Sequence, residues 1–451
     1  MGLADDTGAG GRDPAAASPG PGGRVAVSWR PTALNVSFLT LAGWALFLGL
    51  LTGRADLVVI AVPLIVALAA GRRTAAPSPV QIHHAVSAER VLEDERLTVT
   101  VTIRAEGAAP LVELLEPLPP RVELERGSHH AFFSLRAGEE VGWEFVLRCG
   151  SRQRLRLGGP HVRLWGPLGL AAGEARFRAP QTVAVYPHLT SLRHPPRPVR
   201  TQTYVGNHVS PAQGEGIEPG DIRPFAPGDH VRHVNWRATL RHGALHVTQH
   251  HHERNADVVL LLDTLSDVGP PGASVVDAAV RGAADLAAAY LARKDRVGLI
   301  EYGGQLRWVK PGSGRAQFQR LLDTLLDASV VFTYVTRDLD LVPPRILPPQ
   351  ALVLALSPLL DARFVRAAGD LTARGFDLVV IAVSPAPAAR AAVRPGPVAD
   401  LAARLWDLER RAELDAHRRR GLSIVSWDGV GPLDAALASL RRPRLRRTLA
   451  R

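Results

Sequence analysis

The sequence predicts a membrane-anchored multidomain chain: a two-helix transmembrane hairpin, an antiparallel β-sandwich, then a doubly wound α/β domain. Three observations carry this. Two uncharged apolar runs, Ala33–Thr52 and Leu57–Ala70, stand back to back near the start. Alternation of apolar and polar residues follows, clearest in Leu97–Ile103 (LTVTVTI). From Asp257 onward, short continuous apolar runs alternate with stretches of helical spacing. The 451 residues allow two or three domains, and 46% apolar content allows each a core.

Residues 1–30 are mostly Gly, Ala, Pro, Asp and Arg and bury too little to fold alone, so a disordered tail is expected. The hairpin is expected over residues 31–73. Its first run matches the ~20 residues that cross a bilayer as helix. The second is shorter and contains Pro63, which membrane helices tolerate. Arg12, Arg24 and Arg30 precede the first run, and Arg72 and Arg73 follow the second. The positive-inside rule therefore predicts a multi-pass membrane protein with its soluble domains in the cytoplasm. A single cysteine, Cys149, forbids an internal disulfide and fits a reducing compartment.

Residues 80–188 read as the sandwich, with strands over Leu97–Ile103, Val141–Leu147, Leu155–Leu164 and Thr182–Tyr186 separated by Gly and Pro. Residues 189–213 are rich in Pro, Arg and His and read as an extended linker. The formal charge is +11, almost all from arginine; Lys294 and Lys310 are the only lysines. The basic residues are dispersed rather than set in a stripe with stacking aromatics, so nucleic acid is not an expected partner.

Residues 214–247 hold the densest motif. Pro219-Gly220-Asp221 and Pro227-Gly228-Asp229 predict tight turns, and Arg223, Arg232, Arg237 and Arg241 surround them with Trp236. Residues 255–442 then alternate β and α. Strands are expected over Val258–Leu262, Val297–Tyr302, Leu306–Val309, Ala351–Leu356, Leu378–Val383 and Leu422–Ser426. Helices are expected over Ala273–Arg293, Gln317–Leu326, Ala362–Arg374, Val398–Arg420 and Pro432–Leu440. Residues 443–451 form a basic tail.

The ordered series Gly214-Glu215, Arg223, Phe225, Pro227-Gly228-Asp229, Arg232, Val234, Asn235-Trp236, Ala238 and Arg241 closely resembles the signature of the bacterial domain of unknown function 58 (DUF58) family. Trp165–Leu170 and Val183–Pro187 resemble further strings of the same family. The resemblance implies that the α/β region is a von Willebrand factor A-like domain. It also implies a MoxR-type AAA+ ATPase as protein partner, in assembly or remodelling of envelope-associated complexes. Within the signature, Arg223, Asp229, Arg232, Asn235, Trp236 and Arg241 are the candidate residues. They either brace the two domains or form part of a docking face, and bracing is the expectation, because buried ion-pair networks with Trp fix geometry.

The resemblance also raises a metal site. Such domains bind metal through Asp-x-Ser-x-Ser after their first strand; here that position reads Asp263-Thr264-Leu265-Ser266-Asp267. Leu265 cannot ligate; Asp267, Ser313 and Asp361 are the other candidates. With two of the best positions altered, no bound metal is expected. His250-His251-His252 on an extended segment alternate faces and do not converge on zinc. No phosphate-cradling loop and no nucleophile elbow is present, and no nucleophile–base pair is readable. The expectation is thus a non-enzymatic scaffold without cofactor. The alternatives are a metal-dependent adhesion-type protein and, less favoured, a hydrolase using Asp229 or Asp263.

Overall fold

The protein is described from a computed structural model covering residues 22–25, 27–74, 80–107, 109–196, 208–214, 218–226, 231, 234–254, 256–333 and 339–438. The chain divides into two compact units, Met1–Tyr186 and Pro187–Arg451.

The first unit begins with strands β1 (Gly22–Val25) and β2 (Ser28–Pro31). Within the tail expected to be disordered over residues 1–30, these two stretches are therefore strands, and residues 1–21 lie outside the described residues. Backbone pairing decides this: Gly22–Val25 pair with Val80–His83, and Ser28–Pro31 with Ala171–Glu174. Helices α1 (Ala33–Thr52) and α2 (Ala55–Thr74) follow as the hairpin. Thr32 caps α1, and Gly53 closes it in the left-handed conformation with φ 67°. The helices meet on small residues. Ala42, Gly49 and Ala61 are buried, and a Cβ on Gly49 would stand 2.9 Å from Val58. The large side chains face out: Leu50 is 80% exposed and Trp44 62%. Among the described residues, only α1 is long and apolar enough by itself to cross a membrane; the apolar part of α2 is the shorter Ala55–Gly71.

The sandwich strands are β3 (Val80–Val86), β4 (Arg90–Leu92), β5 (Arg96–Ala105), β6 (Ala109–Leu115), β7 (Val122–Arg126), β8 (His130–Leu135), β9 (Glu140–Cys149), β10 (Gln153–Leu157), β11 (His161–Trp165), β12 (Ala171–Arg176) and β13 (Gln181–Tyr186). Two five-stranded sheets, β1-β3-β5-β9-β7 and β2-β12-β11-β6-β8, share one core that includes Val99, Val101, Phe145, Leu147, Val112 and Val162. The alternation in Leu97–Ile103 is fully expressed, with Leu97, Val99, Val101 and Ile103 buried. The single strand expected over Leu155–Leu164 is two, because Gly158 turns with φ 97°. A small third sheet, β10-β13-β4, contains a parallel pair, β4 with β13. The string Trp165–Leu170 contains a 3-10 turn, Pro167–Gly169, that seats the hairpin. Thr32 donates through Oγ1 to the Gly169 carbonyl at 2.7 Å and through its N–H to that of Leu170 at 3.1 Å.

The second unit contains a three-stranded antiparallel sheet, β14 (His208–Gly214), β15 (Glu218–Pro224) and β16 (His246–Arg254), with β16 in the centre. The expected linker of residues 189–213 thus ends in strand β14. Helix α3 (Trp236–His242) lies between β15 and β16. The α/β sheet contains β17 (Asp257–Thr264), β18 (Arg296–Gly303), β19 (Leu306–Gly312), β20 (Leu352–Ser357), β21 (Asp377–Val383) and β22 (Ile424–Trp427). Its order is β19-β18-β17-β20-β21-β22, parallel except for β19 at the edge. Helices α4 (Val275–Ala292), α5 (Arg315–Leu326), α6 (Ala362–Ala373), α7 (Ala386–Ala392), α8 (Pro397–Arg419) and α9 (Leu433–Leu437) complete it. All eight residues of β17 are buried, as an interior parallel strand requires. One face packs Val259, Leu261, Ile300 and Val380 with Phe364, Ala368 and Leu371 of α6. Among the described residues, α7 is the one helix of this sheet that the sequence pattern did not suggest.

The start of the linker is bound to α4. The Thr190 N–H donates to Asp285 Oδ1 at 2.6 Å, and the Tyr290 hydroxyl donates to the Pro196 carbonyl at 2.5 Å. The His194 N–H donates to Asp434 Oδ1 at 3.0 Å. Burial pushes the Asp285 carboxyl up to about 7.

Candidate interaction site

The signature segment builds a short helix against a hairpin. Asn235 is the α3 cap: its Oδ1 accepts the Ala238 N–H at 3.0 Å. Its own N–H donates to the His246 carbonyl at 2.8 Å, and the Phe225 N–H donates to that of Leu245 at 2.8 Å. The Thr239 hydroxyl accepts the His246 N–H at 3.1 Å, which ties α3 down onto β16. Gly243, left-handed with φ 69°, ends the helix. Arg223 stands on β15 opposite Val247 and donates through Nη1 to the Pro224 carbonyl at 3.0 Å.

This arrangement leaves the side chains of α3 outside. Trp236 is 62% exposed and Leu240, one turn on, 85%. Arg237 and Arg241 occupy the neighbouring stripe of the same helix and are exposed. Asp229 and Arg232, the rest of the expected network, lie outside the described residues. Of the candidates, the fold therefore gathers Asn235, Trp236 and Arg241 on one helix, with Arg223 on an adjoining strand. Leu240 was missed; its position four residues after Trp236 was the available signal. His250–His252 fall on the central strand β16, as an extended segment.

The second candidate place is the carboxyl edge of the α/β sheet, where strand order reverses between β17 and β20. Open sheets of this kind bind ligands at such a point. Asp263 ends β17 there, fully buried. Ser357, at the end of β20, donates to its Oδ2 at 2.5 Å, and the Leu265 N–H donates to Oδ1 at 3.0 Å. Burial pushes Asp263 up to about 7, against the pull of these donors. Asp267 Oδ1 accepts the N–H groups of Val268 and Val276, so it closes the loop onto the start of α4. Burial raises its carboxyl too. Asp361 caps α6 and is held below the usual carboxylate range by Arg363, whose guanidinium it binds. Ser313 is exposed in the turn before α5. These oxygens are committed to different protein partners. Among the described residues no three His, Cys, Asp or Glu side chains gather to hold a metal ion.

Residues 221–390 match a family model described as protein of unknown function DUF58. Uncharacterized proteins of Mycobacterium bovis and Mycobacterium tuberculosis are 32% identical over 123 residues, which is 27% of this chain and 39% of each relative. The chain thus spans well under half the length of the curated relatives it matches. Among solved structures, the cupredoxin domain of amoB from Nitrosocaldus yellowstonii aligns with 24% of this chain and 86% of its own, at 14% identity and a TM-score of 0.18. The C-terminal domain of wzt aligns with 24% of this chain and 70% of its own, at 9% identity and a TM-score of 0.16. Scores this low carry no argument about fold or function. The signature from Asp221 onward and the β17–β21 part of the sheet therefore lie in a DUF58 family domain, residues 221–390.

Proposed function

We propose that this protein is a membrane-anchored, non-enzymatic interaction protein that docks a protein partner on the exposed face of α3. The carrying observation is the Trp236–Leu240 pair, open to solvent beside Arg237 and Arg241 on a helix capped and tied down by its own signature. Trp and Arg dominate the energetically important centres of protein interfaces. The partner class comes from the sequence resemblance: a MoxR-type AAA+ ATPase, with a role in assembly or remodelling of envelope-associated complexes. The α/β domain is read as von Willebrand A-like. In this reading the reversal point at Asp263 is structural, since its carboxylate is engaged by Ser357 and Leu265.

The α1–α2 hairpin is the proposed anchor in the bacterial inner membrane, with the soluble domains in the cytoplasm. Its inverted burial supports this. Small residues form the contact between helices while Leu, Val, Phe and Trp point outward, the arrangement favoured where lipid is the solvent. Exposed apolar surface of this extent marks an interaction site on a water-soluble protein. The test is co-purification of the full chain with the MoxR-type ATPase of the same organism. Trp236→Ala with Leu240→Ala is expected to abolish capture and leave the melting temperature unchanged. Undiminished capture by that variant would overturn the assignment of the face.

A further inference from the structure

Helix α8 turns its apolar side outward. Val398, Leu401, Leu405 and Leu408 are 81%, 59%, 55% and 61% exposed. Their spacing of three, four and three places them in one narrow seam. The opposite side is the one held by the domain. Leu414 is buried, and Arg410 donates to the carbonyls of Leu359, at 3.1 Å, and Pro358. In heptad terms Val398 and Leu405 are a positions and Leu401 and Leu408 are d positions. Arg410 is then f and Leu414 c, positions that point away from a coiled-coil partner. The outer side thus has the pattern of an unpaired coiled-coil strand.

We propose that α8 is a homodimerisation helix, the seams of two copies of this chain pairing in parallel. Charge selects the occupant and the direction. Arg404 and Arg411 fall at g, and Glu409 at e. A parallel pair sets each g residue beside the e residue of the partner's next heptad, so Arg404 meets Glu409 of the partner subunit. Two-fold symmetry makes that contact twice. An antiparallel pair would instead align the arginine flanks with each other. Arg404 and Glu409 are exposed, and among the described residues neither forms an ion pair within the chain. In the first heptad, Val398 at a with Leu401 at d is the combination that favours two strands, and the second has leucine at both positions. The seam ends after Leu408, where the next a and d positions are Ala412 and Asp415. It is short, but the folded domain already holds the helix, which removes the cost of nucleating it. α8 lies beyond the family match at residues 221–390, so the inference is independent of the docking face on α3.

The test uses the full chain in detergent micelles. Leu405→Cys is expected to give an interchain disulfide on mild oxidation, since facing a positions in a parallel pair satisfy disulfide geometry. Asp400→Cys, also exposed but at a c position, should give none, and the native Cys149 is buried. Light scattering should count two chains per particle for the wild type and one for Leu401→Asp with Leu405→Asp. Arg404→Glu should weaken the dimer roughly threefold to tenfold, and Arg404→Glu with Glu409→Arg should restore it. A monomeric wild type, equal cross-linking at both cysteine positions, or no rescue by the charge swap would each overturn the proposal. So would a monomer whose seam variant loses only binding to anionic vesicles, because the seam would then be a lipid contact.

Discussion

Helices α1 and α4 are both rich in small and aliphatic residues, yet they use them in opposite ways. α4 buries thirteen of its eighteen residues, whereas α1 buries two of twenty. The difference is readable in their polar residues. α4 carries Asp277, Arg281 and Asp285 at spacings of four, and its two carboxylates are buried but matched to protein donors: Asp277 completes a capping box with Ser274, and Asp285 accepts the Thr190 N–H. α1 has no charged residue and no polar side, so no rotation of it can present a wetted face against a buried one. Both helices satisfy their own backbone hydrogen bonds. What separates them is the solvent for which the side chains are suited.

The largest expected effect tests the buried member of that pair. Tyr290→Ala removes a fully buried ring and the hydroxyl bond to Pro196, and should destabilise the second unit by about 3–5 kcal/mol in denaturant melts. Leu50→Ala on the 80%-exposed face of α1 should change the first unit's stability by less than about 0.5 kcal/mol. A comparable loss at Leu50 would mean that α1 is covered by protein.

A second contrast is electrostatic. Asp263 and Asp285 titrate near 7 in the folded chain, above their ordinary value of 3.8. The folded state then binds more protons than the unfolded state between those two values. Stability should therefore be greatest below about pH 4 as far as these groups decide it, and should fall as pH rises toward 7. Asp263→Asn should flatten that fall, because the amide oxygen still accepts from Ser357 while the desolvated charge is gone. A pH profile unchanged by the substitution would show that Asp263 titrates normally.

The smallest effect concerns the signature helix. Asn235→Ala should cost about 1 kcal/mol, read as earlier loss of amide protection in α3 and β16, while Asn235→Asp retains the cap. If neither change moves protection, the cap is not what holds α3 in place.

Much of the fold was legible because its elements are locally specified. Strands such as Val258–Leu262 are continuous apolar runs, and the helices between them keep a 3.6-residue period over three turns or more. What escaped were elements whose reason is remote. β1 and β2 are ordinary Gly- and Arg-containing stretches made into strands by partners about sixty and about 140 residues away. β14 was read as linker for the same reason: its partner, β16, begins only at the end of the signature, at His246. At the candidate site, the cap role of Asn235 is local chemistry, whereas the exposure of Trp236 depends on which side of α3 faces β16.

The sequence by itself determined the order of the parts, the two uncharged apolar runs and the motif that places residues 221–390 in their family, because periodicity, charge and turn residues are properties of neighbours along the chain. Only the tertiary structure decided that Thr32 seats the hairpin on the turn at Gly169, that Asp263 is closed off by Ser357, and that α3 and α8 keep apolar residues on the outside. Each of these depends on groups far apart in the chain meeting or failing to meet. Burial and hydrogen bonding across such separations are fixed by packing, which no local pattern encodes.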